Sequence, residues 1–455
     1  MIIHCFLISL VLLQTSAQVL DLIPGKVHGF DYRMKNDDLA EVFLKIPYAA
    51  PPVGELRFEK PRPVIPWRDM VRDGTSFGPG CHQILPDVGF KKVPTSEDCL
   101  TLNIIRPKKE PPPTGFPVMF WIHGGGYQFG SAHDYGYKGF ADIYIPNYII
   151  VVTIQYRLGV YGFFSSGDER ISGNLGLFDM AEALKFVHSN AKYIGADPSR
   201  ITVWGHSAGS SAAGQLILSP VTRDYLPRSI EMSGSPWTSW ALGGNVVNNS
   251  LQLAEKLVEQ VYSGNHLQQI MDEIIAYYVD RKEEKSYDFY IDRYTEFISD
   301  LLFNVPAVEG ILARLEAGWD LYVYLLDHYN DAIWDRNVTK KMRGAPHASE
   351  TPYTNDVFFQ KHFEFDDKER VVAEIFRQSF TEFVKTGAPS NRHEAWTEVG
   401  PGPEIRYLKI APNPQLKQGF YNETTTFWRK IRRYGFDMVQ LLPIKKPLAE
   451  TREEL

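Results

Sequence analysis

One pentapeptide constrains this chain more than any other feature: residues 205–209 read GHSAG. A β-rich run, RITVW at residues 200–204, precedes it, and a run of small residues with helical character follows it at residues 208–218. Flanking glycines allow the sharp turn that lifts a serine hydroxyl clear of a sheet. This context predicts a nucleophile elbow with Ser207 at its tip, although the pentapeptide alone fits an idle serine in a glycine-rich turn equally well.

A second glycine cluster lies upstream, where a predicted strand at residues 116–122 runs into HGGG at residues 123–126. Backbone N–H groups in such a turn can point at a ligand, as an oxyanion hole requires. A phosphate-binding loop is the competing interpretation, but no Lys-Ser/Thr pair follows and the spacing is not Gly-X-Gly-X-X-Gly. The pairing of this cluster with the elbow is far more specific than either motif alone.

Further motifs, in a fixed order, resemble those of the type-B carboxylesterases and cholinesterases, a family of the α/β-hydrolase fold. They are FLKIPYAAPPVGELRF at residues 43–58, SEDCLTLN at 96–103, YRLG at 156–159, GNLGLFD at 173–179, MSGS at 232–235, GAPHASE at 344–350 and FVKTG at 383–387. The resemblance implies an α/β fold with a mostly parallel central sheet flanked by helices. It also implies one catalytic domain over residues 18–451.

The resemblance gives roles to individual residues. Ser207 is the nucleophile, and His347 is the general base that takes its proton and later returns it to the leaving group. The N–H groups of Gly125, Gly126 and Ala208 form the oxyanion hole. Without its motif, His347 would be one of 12 histidines and would be read as a surface or satisfied core residue.

The same resemblance assigns six residues to the scaffold. These are the ion pairs Arg57–Glu97 and Arg157–Asp179, and the cysteines Cys81 and Cys99, which fall where the family closes its first disulfide loop. Two free thiols are the alternative for the cysteines. No spacing of His, Cys, Asp and Glu suggests a metal site, and no cofactor is expected.

The third member of the triad is where the chain departs from the family. In this fold the order is Ser, then Asp or Glu, then His, and the family's glutamate stands in a Glu-Gly step after a buried strand. Between Ser207 and His347 there is one Glu-Gly step, at Glu309 and Gly310, in a segment that resembles a later helical part of the family. The catalytic acid is therefore unknown, with Glu309 and Asp327 as candidates.

The gap in the resemblance can be located from both sides. Residues 251–261 resemble the helix after the MSGS strand, whereas residues 271–280 already resemble the segment before Asp300. Between Ser235 and Trp319 no apolar or β-branched run is typical of a fully buried strand. We therefore expect one central strand, the one that carries the acid, to be missing.

The two ends of the chain indicate the secretory pathway. Residues 1–17 read as a signal peptide, because their apolar core is too short to span a bilayer and precedes small residues. No later apolar run is long enough for a transmembrane helix. Residues 452–455 (REEL) resemble a retrieval signal that the endoplasmic reticulum retrieval receptor would bind. Sequons at Asn248, Asn337 and Asn422 predict a glycoprotein, and we expect residence in the endoplasmic reticulum lumen, with secretion as the alternative.

Charge and aromatic content narrow the range of ligands. A net charge of −7 argues against nucleic acid. Residues 82–96 contain no tryptophan, so recognition of a quaternary ammonium group by cation–π contact is poorly supported. The first hypothesis is a serine carboxylesterase that acts on a small-molecule ester through an acyl-enzyme. The alternative is a catalytically impaired isoform or pseudoenzyme that acts as a ligand binder or protein-interaction module.

Overall fold

A computed structural model describes residues 18–84, 92–168, 170–238, 262, 264–336, 338–340, 343–400, 404–437, 439–440 and 442–443. The strands of this part of the chain are β1 (Gln18–Leu22), β2 (Gly25–Arg33), β3 (Leu39–Pro47), β4 (Val71–Asp73), β5 (Gly80–Cys81), β6 (Thr95–Ser96), β7 (Thr101–Pro107), β8 (Phe116–Ile122), β9 (Ile150–Ile154), β10 (Ala196–His206), β11 (Arg228–Met232), β12 (Tyr324–Leu326), β13 (Tyr407–Ile410), β14 (Gln415–Lys417), β15 (Phe436–Asp437) and β16 (Leu442–Pro443).

The helices of the same residues are α1 (Ala132–Tyr135), α2 (Lys138–Tyr144), α3 (Gly159–Phe163), α4 (Leu175–Ile194), α5 (Ala208–Leu218), α6 (Leu267–Tyr278), α7 (Tyr287–Ser299), α8 (Val305–Glu316), α9 (Thr351–Asn355), α10 (Asp367–Thr386) and α11 (Asn422–Ile431). A single π-helical turn, Asp300–Asn304, joins α7 to α8. Capping explains where α10 starts and stops: Asp366 and Glu369 form a capping box at its start, and Gly387 ends the helix in the left-handed conformation.

The central sheet has nine strands in the order β1-β2-β3-β7-β9-β8-β10-β11, with β4 paired to β2. Neighbours from β1 to β9 run antiparallel, whereas β9, β8, β10 and β11 are parallel. The predicted α/β architecture is present, but the sheet is mixed and not mostly parallel. The difference comes from the N-terminal strands, which follow one another as antiparallel neighbours and need no helical crossover.

The middle of the sheet is buried on both faces. Every residue of β8 is buried, because α4 and α5 cover one face while α2 and α10 cover the other. Successive side chains of β8 point to opposite faces of the sheet. Val118 and Phe120 belong to one apolar cluster, and Met119 and Trp121 belong to the other. A strand buried on both faces is continuously apolar, as this one is.

The sheet ends at β11, and β12 belongs to a separate three-stranded sheet with β13 and β14. Within the described residues from 233 to 318, the chain forms helices and turns and no strand. β12 therefore pairs with β13 and does not fill the place next to β11. That a central strand is missing between them stays a prediction, supported by this separation.

The parallel half of the sheet brings three segments to one edge. Gly205 lies opposite Ile122 on β8, and His206 lies opposite Met232 on β11. Chains leaving parallel strands at their carboxyl ends meet at the same edge, where ligands bind in open α/β sheets. The glycine turn after β8, the serine after β10 and the turn after β11 are therefore neighbours.

Candidate active site

Ser207 stands where β10 ends and α5 begins. Its backbone has φ 58° and ψ −121°, an uncommon conformation that costs a non-glycine residue on the order of 1–3 kcal/mol. A Cβ on Gly205 would lie 2.1 Å from the Gly209 carbonyl oxygen, and one on Gly209 would lie 2.1 Å from the Ile122 carbonyl oxygen. Because larger residues would clash at both positions, this tight turn requires its two glycines.

Backbone hydrogen bonds hold the strained serine in place. The Ser207 N–H donates to the Met232 carbonyl oxygen at 2.9 Å, and the Ser211 N–H donates to the Ser207 carbonyl oxygen at 3.0 Å. The first bond ties the turn to the end of β11, and the second belongs to the first turn of α5. With both of its backbone groups engaged, Ser207 presents its side chain at the carboxyl edge of the sheet.

His347 lies 140 residues further along the chain, and the structure brings it to the elbow. Its Nε2 atom is 2.9 Å from the Ser207 hydroxyl oxygen. The side chain of Gln360 donates to the His347 carbonyl oxygen at 3.0 Å, and the Ser349 N–H donates to the Pro346 carbonyl oxygen at 3.1 Å. These bonds fix the loop before α9, so the imidazole is held where it can accept the hydroxyl proton.

Two aromatic rings pack against the His347 imidazole. The ring centroid of His206 is 5.0 Å away with the planes inclined by 29°, and that of Phe303 is 4.9 Å away at 42°. His206 is buried, neither of its ring nitrogens has a partner in the described part of the chain, and burial holds its pKa well below the ordinary value. Neither ring was assigned a role from the sequence, because contacts between distant residues leave no local pattern.

The His347 imidazole has no carboxylate partner among the described residues; its one ring hydrogen bond there is the bond to Ser207. The residue is exposed by its accessible surface and lines a cavity. Desolvation by the surrounding protein atoms lowers the pKa of His347 below its ordinary value. The neutral form, which is the form able to accept a proton from serine, therefore prevails at neutral pH.

The glycine turn after β8 lies beside the nucleophile. A Cβ on Gly124 would be 2.8 Å from the Ser207 Cβ. Gly126 has φ 59°, and the space where its Cβ would stand is open. In the described residues, the N–H groups of Gly125, Gly126 and Ala208 donate to no protein acceptor. Backbone donors left free beside a serine hydroxyl are what an oxyanion hole requires.

The two candidate acids are paired with other residues. Glu309 accepts from Arg429 Nε at 2.8 Å, and Asp327 forms an ion pair with Lys409. Neither forms a hydrogen bond with the His347 ring in the region that the structure covers. The catalytic acid therefore remains unknown.

A different carboxyl group, that of Glu350, lies closer to the general base along the chain. It is buried, accepts a hydrogen bond from the Ser233 hydroxyl, and lines the same cavity as His347. Burial raises its pKa. Glu350 belongs to the GAPHASE motif, but no role was assigned to it from the sequence, because its contact with Ser233, directly after β11, exists only in the tertiary structure.

Comparison with known proteins shows which family shares these features. The profile of the carboxylesterase family matches residues 15–271 and 255–428. The chain belongs to the carboxylesterase family. Among relatives, gut esterase 1 of Caenorhabditis briggsae is 32% identical over 546 residues, which covers 95% of this chain and 96% of that protein. Gut esterase 1 of Caenorhabditis elegans is also 32% identical, over 95% of this chain and 97% of that protein.

Mammalian carboxylesterases and a solved structure extend the comparison. Carboxylesterase 1E of Mus musculus is 40% identical over 53% of this chain and 44% of its own length. The structure of a thermophilic PNB esterase superposes with a TM-score of 0.73, covering 90% of this chain and 100% of that chain at 23% identity. At that identity the superposition speaks for the fold alone, and it confirms the predicted α/β-hydrolase fold.

The family comparison also indicates a gap in this carboxylesterase. The profile matches in two parts that overlap at residues 255–271, close to where the sequence analysis located the missing segment. The alignment with gut esterase 1 spans 546 residues although this chain has 455. The relative therefore has positions with no counterpart in this chain. That these positions include the acid-bearing strand stays a prediction.

The scaffold residues lie as the family resemblance implied. Cys81 and Cys99 are joined by a disulfide, Arg57 Nε lies 2.6 Å from a Glu97 carboxylate oxygen, and Arg157 Nη2 lies 2.7 Å from Asp179 Oδ1. The last pair is almost fully buried, which makes it part of the core of this carboxylesterase.

Several predictions fall outside the described residues: the signal peptide at residues 1–17, the sequons Asn248 and Asn337, and the tail at residues 452–455. Asn422 is described and begins α11. No helix of the described chain is long and apolar enough to cross a membrane. The described residues also hold no group of three or more His, Cys, Asp or Glu side chains that could bind a metal ion.

Proposed function

We propose that this carboxylesterase-family protein hydrolyses small-molecule carboxylic esters through an acyl-enzyme at Ser207. One observation carries the proposal: the 2.9 Å contact between the Ser207 hydroxyl and His347 Nε2 at the tip of the elbow. A serine hydroxyl is a weak nucleophile at neutral pH unless a base takes its proton. The family supports the reaction class, and the contact supports these two residues as its nucleophile and base.

In the first half-reaction the Ser207 oxygen attacks the ester carbonyl carbon while His347 Nε2 takes the hydroxyl proton. The carbonyl oxygen becomes an oxyanion, which the free N–H groups of Gly125, Gly126 and Ala208 stabilise. His347 then gives its proton to the leaving alcohol, and the acyl group remains on Ser207. Water, deprotonated by the same imidazole, releases the acid in the second half-reaction.

The unassigned acid predicts slow turnover. In protease triads, neutralising the carboxylate that orients the histidine lowers kcat by roughly 10⁴-fold, or about 5.5 kcal/mol of barrier. No carboxylate of the described residues forms a hydrogen bond with the His347 ring. We therefore expect ester hydrolysis that is orders of magnitude slower than that of a relative with a complete triad.

The same observation favours a second function. A protein that retains Ser207, His347 and free oxyanion donors but lacks the acid could bind ester-like ligands, or act through protein contacts, without efficient turnover. This second candidate differs from the first in one measurable respect: it predicts covalent labelling of Ser207 without catalytic turnover.

The test uses the recombinant full chain, a fluorophosphonate probe and p-nitrophenyl esters. We expect labelling of Ser207 and slow ester hydrolysis, both abolished in Ser207→Ala. Ser219→Ala, at the C-terminal end of the same helix, is the matched control and should behave as the parent. If Ser207→Ala is labelled as strongly as the parent, Ser207 is not the nucleophile. Labelling with no measurable turnover would favour the second candidate.

We further propose that the protein is a glycoprotein of the secretory pathway that the retrieval receptor keeps in the endoplasmic reticulum lumen, with secretion as the alternative. The proposal depends on residues 1–17 and 452–455 and on the sequons. We do not expect a choline ester as substrate, because residues 82–96 offer no tryptophan for a quaternary ammonium group.

A further inference from the structure

A cavity of about 600 Å³ lies between two strand edges. One edge belongs to β11, the last strand of the central sheet, and the other to β12, the first strand of the smaller sheet. Residues of both strands line the cavity, and within the described residues each strand pairs on one side only, β11 with β10 and β12 with β13. A strand edge with unpaired N–H and C=O groups is a template for pairing with another chain.

The register of β11 identifies the backbone groups on its open side. The Ser207 N–H donates to the Met232 carbonyl oxygen, so Met232 faces β10. The N–H and C=O groups of successive residues in a parallel strand point to opposite sides. The even-numbered residues of β11 therefore face β10, whereas the backbone groups of Ser229, Glu231 and, directly after the strand, Ser233 face away from it. These three residues line the cavity.

The same reasoning applies to β12. The Leu408 N–H donates to the Val323 carbonyl oxygen, and Leu408 lies opposite Tyr324 in the parallel ladder. The odd-numbered residues therefore face β13, and the backbone groups of Tyr324 and Leu326 face away from it. Both residues line the cavity. Within the described chain, the outward backbone groups of the two edges form no hydrogen bond, so two walls of the cavity present free donors and acceptors.

The other two walls of the space are apolar. The side chains of Tyr324 and Leu325 point to opposite faces of β12. Tyr324 packs against the apolar cluster that contains Phe380, and Leu325 packs against the cluster to which Ile311 also belongs. Phe380 and Ile311 line the cavity from α10 and α8. A segment between the two edges would therefore meet apolar residues on both faces, which favours a continuously apolar strand.

The charges at the cavity favour a basic residue beside that apolar strand. Three carboxyl groups line the cavity, those of Glu231, Asp327 and Glu350, together with one guanidinium group, that of Arg314. Asp327 follows β12 directly, and its side chain is 55% exposed although it pairs with Lys409. A basic residue at the end of a bound segment would lie beside this excess of carboxyl groups, and complementary charge favours the correct partner and register.

We propose that the space between β11 and β12 binds an extended segment of another polypeptide, with about five apolar residues flanked by a basic residue, which pairs with both strand edges. Five residues match the length of β11. Hydrogen bonds from the main chain to the two edges supply affinity, and the apolar walls select the side chains. Peptide binding at this place does not depend on the esterase reaction at Ser207.

The probe is a fluorescein-labelled, C-terminally amidated peptide, KVIVLVK, and its binding to the full chain is measured by fluorescence anisotropy. A first control peptide carries N-methyl groups on alternate residues, which keep the side chains but remove the N–H groups that face one edge. A second, DVIVLVD, reverses the flanking charge. We expect saturable binding of KVIVLVK, and binding weaker by about tenfold or more for the N-methylated peptide, because two or three hydrogen bonds are lost. DVIVLVD should also bind more weakly.

Proline substitutions on the two edges test the site itself. Ser229→Pro removes an N–H group that faces the cavity, whereas Ser229→Ala keeps that group and loses the same side-chain hydroxyl. Leu326→Pro and Leu326→Ala form the corresponding pair on β12. Proline is tolerated on an edge strand where the N–H faces outward, and urea unfolding checks that the variants fold. Each proline variant should bind KVIVLVK several-fold more weakly than its alanine partner. Equal binding within both pairs overturns the inference.

Hydrogen exchange locates the bound peptide. In the free chain the amides of Ser229, Glu231, Tyr324 and Leu326 should exchange faster than those of their inward-facing neighbours, and saturation with KVIVLVK should slow them. Slow exchange in the free chain would mean that a segment of this chain or of a second copy already pairs with the edges, which overturns the inference.

Two further outcomes decide the matter even if a proline variant does not fold. Equal binding of KVIVLVK and its N-methylated form overturns the inference, because adsorption of apolar side chains needs no N–H group. Absence of saturable binding overturns it as well. Ser207→Ala should bind KVIVLVK as the parent does, so failure of the proposed function at Ser207 and failure of peptide binding are separate results.

Discussion

Ser207 and His347, the proposed nucleophile and base, are held in place by different physical means. The serine has a conformation that the fold imposes on it, whereas the imidazole is held by the packing of His206 and Phe303. Burial keeps His347 neutral but also makes it a weaker base, since each unit of lowered pKa corresponds to about 1.36 kcal/mol against the protonated form. The neutral imidazole is therefore available at neutral pH, but its protonated form is only weakly stabilised.

This balance predicts the pH dependence of Ser207 labelling. The neutral imidazole is the active form, so the labelling rate falls as pH drops through the pKa of His347. Burial lowers that pKa below the ordinary value of about 6.5. We expect the rate with a fluorophosphonate probe to stay constant from about pH 8 to pH 6.5, with its midpoint at lower pH.

Two controls keep that measurement specific. Far-ultraviolet circular dichroism at each pH shows whether the protein remains folded. Glu350→Gln and His206→Asn remove the two other titratable groups of this region, the Glu350 carboxyl, whose pKa burial raises, and the His206 ring, whose pKa burial lowers. A midpoint at or above about 6.5 in the parent and the variants would contradict a lowered pKa of His347.

Among the elements, a disulfide and a buried ion pair add links outside the central sheet. The disulfide between Cys81 and Cys99 closes a loop of 18 residues just before β7. Arg157, after β9, binds Asp179 on α4 with three hydrogen bonds and donates to the Glu59 carbonyl oxygen at 2.8 Å. Each link fixes a loop that leads toward the carboxyl edge of the sheet.

Removing the disulfide should lower stability. A cross-link that closes a loop of this length stabilises by about 3 kcal/mol, mainly by restricting the unfolded chain. We expect Cys81→Ser/Cys99→Ser to lose about that much free energy of unfolding in urea titrations without reductant. The reduced parent should lose a similar amount. Recovery of both cysteines as free thiols by peptide mapping of the native protein would refute the disulfide.

Removing one partner of the buried Arg157–Asp179 ion pair should lower the free energy of unfolding more than replacing both partners with apolar residues. Arg157→Met leaves the Asp179 carboxylate buried without its partner, and such changes cost about 3–5 kcal/mol. The double variant Arg157→Met/Asp179→Leu removes both charges and should recover part of that loss. Urea unfolding of the two variants beside the parent measures the difference. Equal stability of parent and Arg157→Met would show that solvent or another group compensates the charge.

At the scale of the whole molecule, the separation of two sheets is the unusual feature. The central sheet ends at β11, the smaller sheet begins at β12, and the cavity lies between them. Within the described residues no strand pairs with the outer edge of β11, and such edges favour pairing with another strand, so this is where we expect the missing strand of the longer relatives. The length difference from gut esterase 1 agrees with that interpretation.

Residence in the cell is also a property of the whole chain. If residues 452–455 are a retrieval signal, deleting them should move the protein from the endoplasmic reticulum lumen to the medium. Immunoblots of cells and medium, with and without the deletion, measure this. Replacing the four residues by four alanines controls for length and should also cause secretion. Equal secretion of all three proteins would argue against retrieval.

Particular residues show how much of the fold and of the candidate site could be predicted from the sequence alone. GHSAG and HGGG are local patterns whose glycines dictate a backbone shape, so the elbow, the glycine turn and the position of Ser207 could be predicted. His347 was found through its motif and not through spacing, because 140 residues separate it from Ser207. Glu309 and Asp327 could be proposed as acids only because no local pattern records their pairing with Arg429 and Lys409.

The sequence by itself determined the elbow and the glycine turn, because the glycines of GHSAG and HGGG impose local backbone requirements. The α/β-hydrolase fold and the pairing of Cys81 with Cys99 followed from motifs whose order resembles that of a family, and both are present in the structure, whereas the catalytic roles stay proposals. Only the tertiary structure decided that β12 pairs with β13 and not with β11, that His206 and Phe303 pack against the His347 ring, and that Glu350 binds Ser233. These contacts join residues far apart in the chain. Their free energy comes from burial and packing, which no local stretch of sequence records.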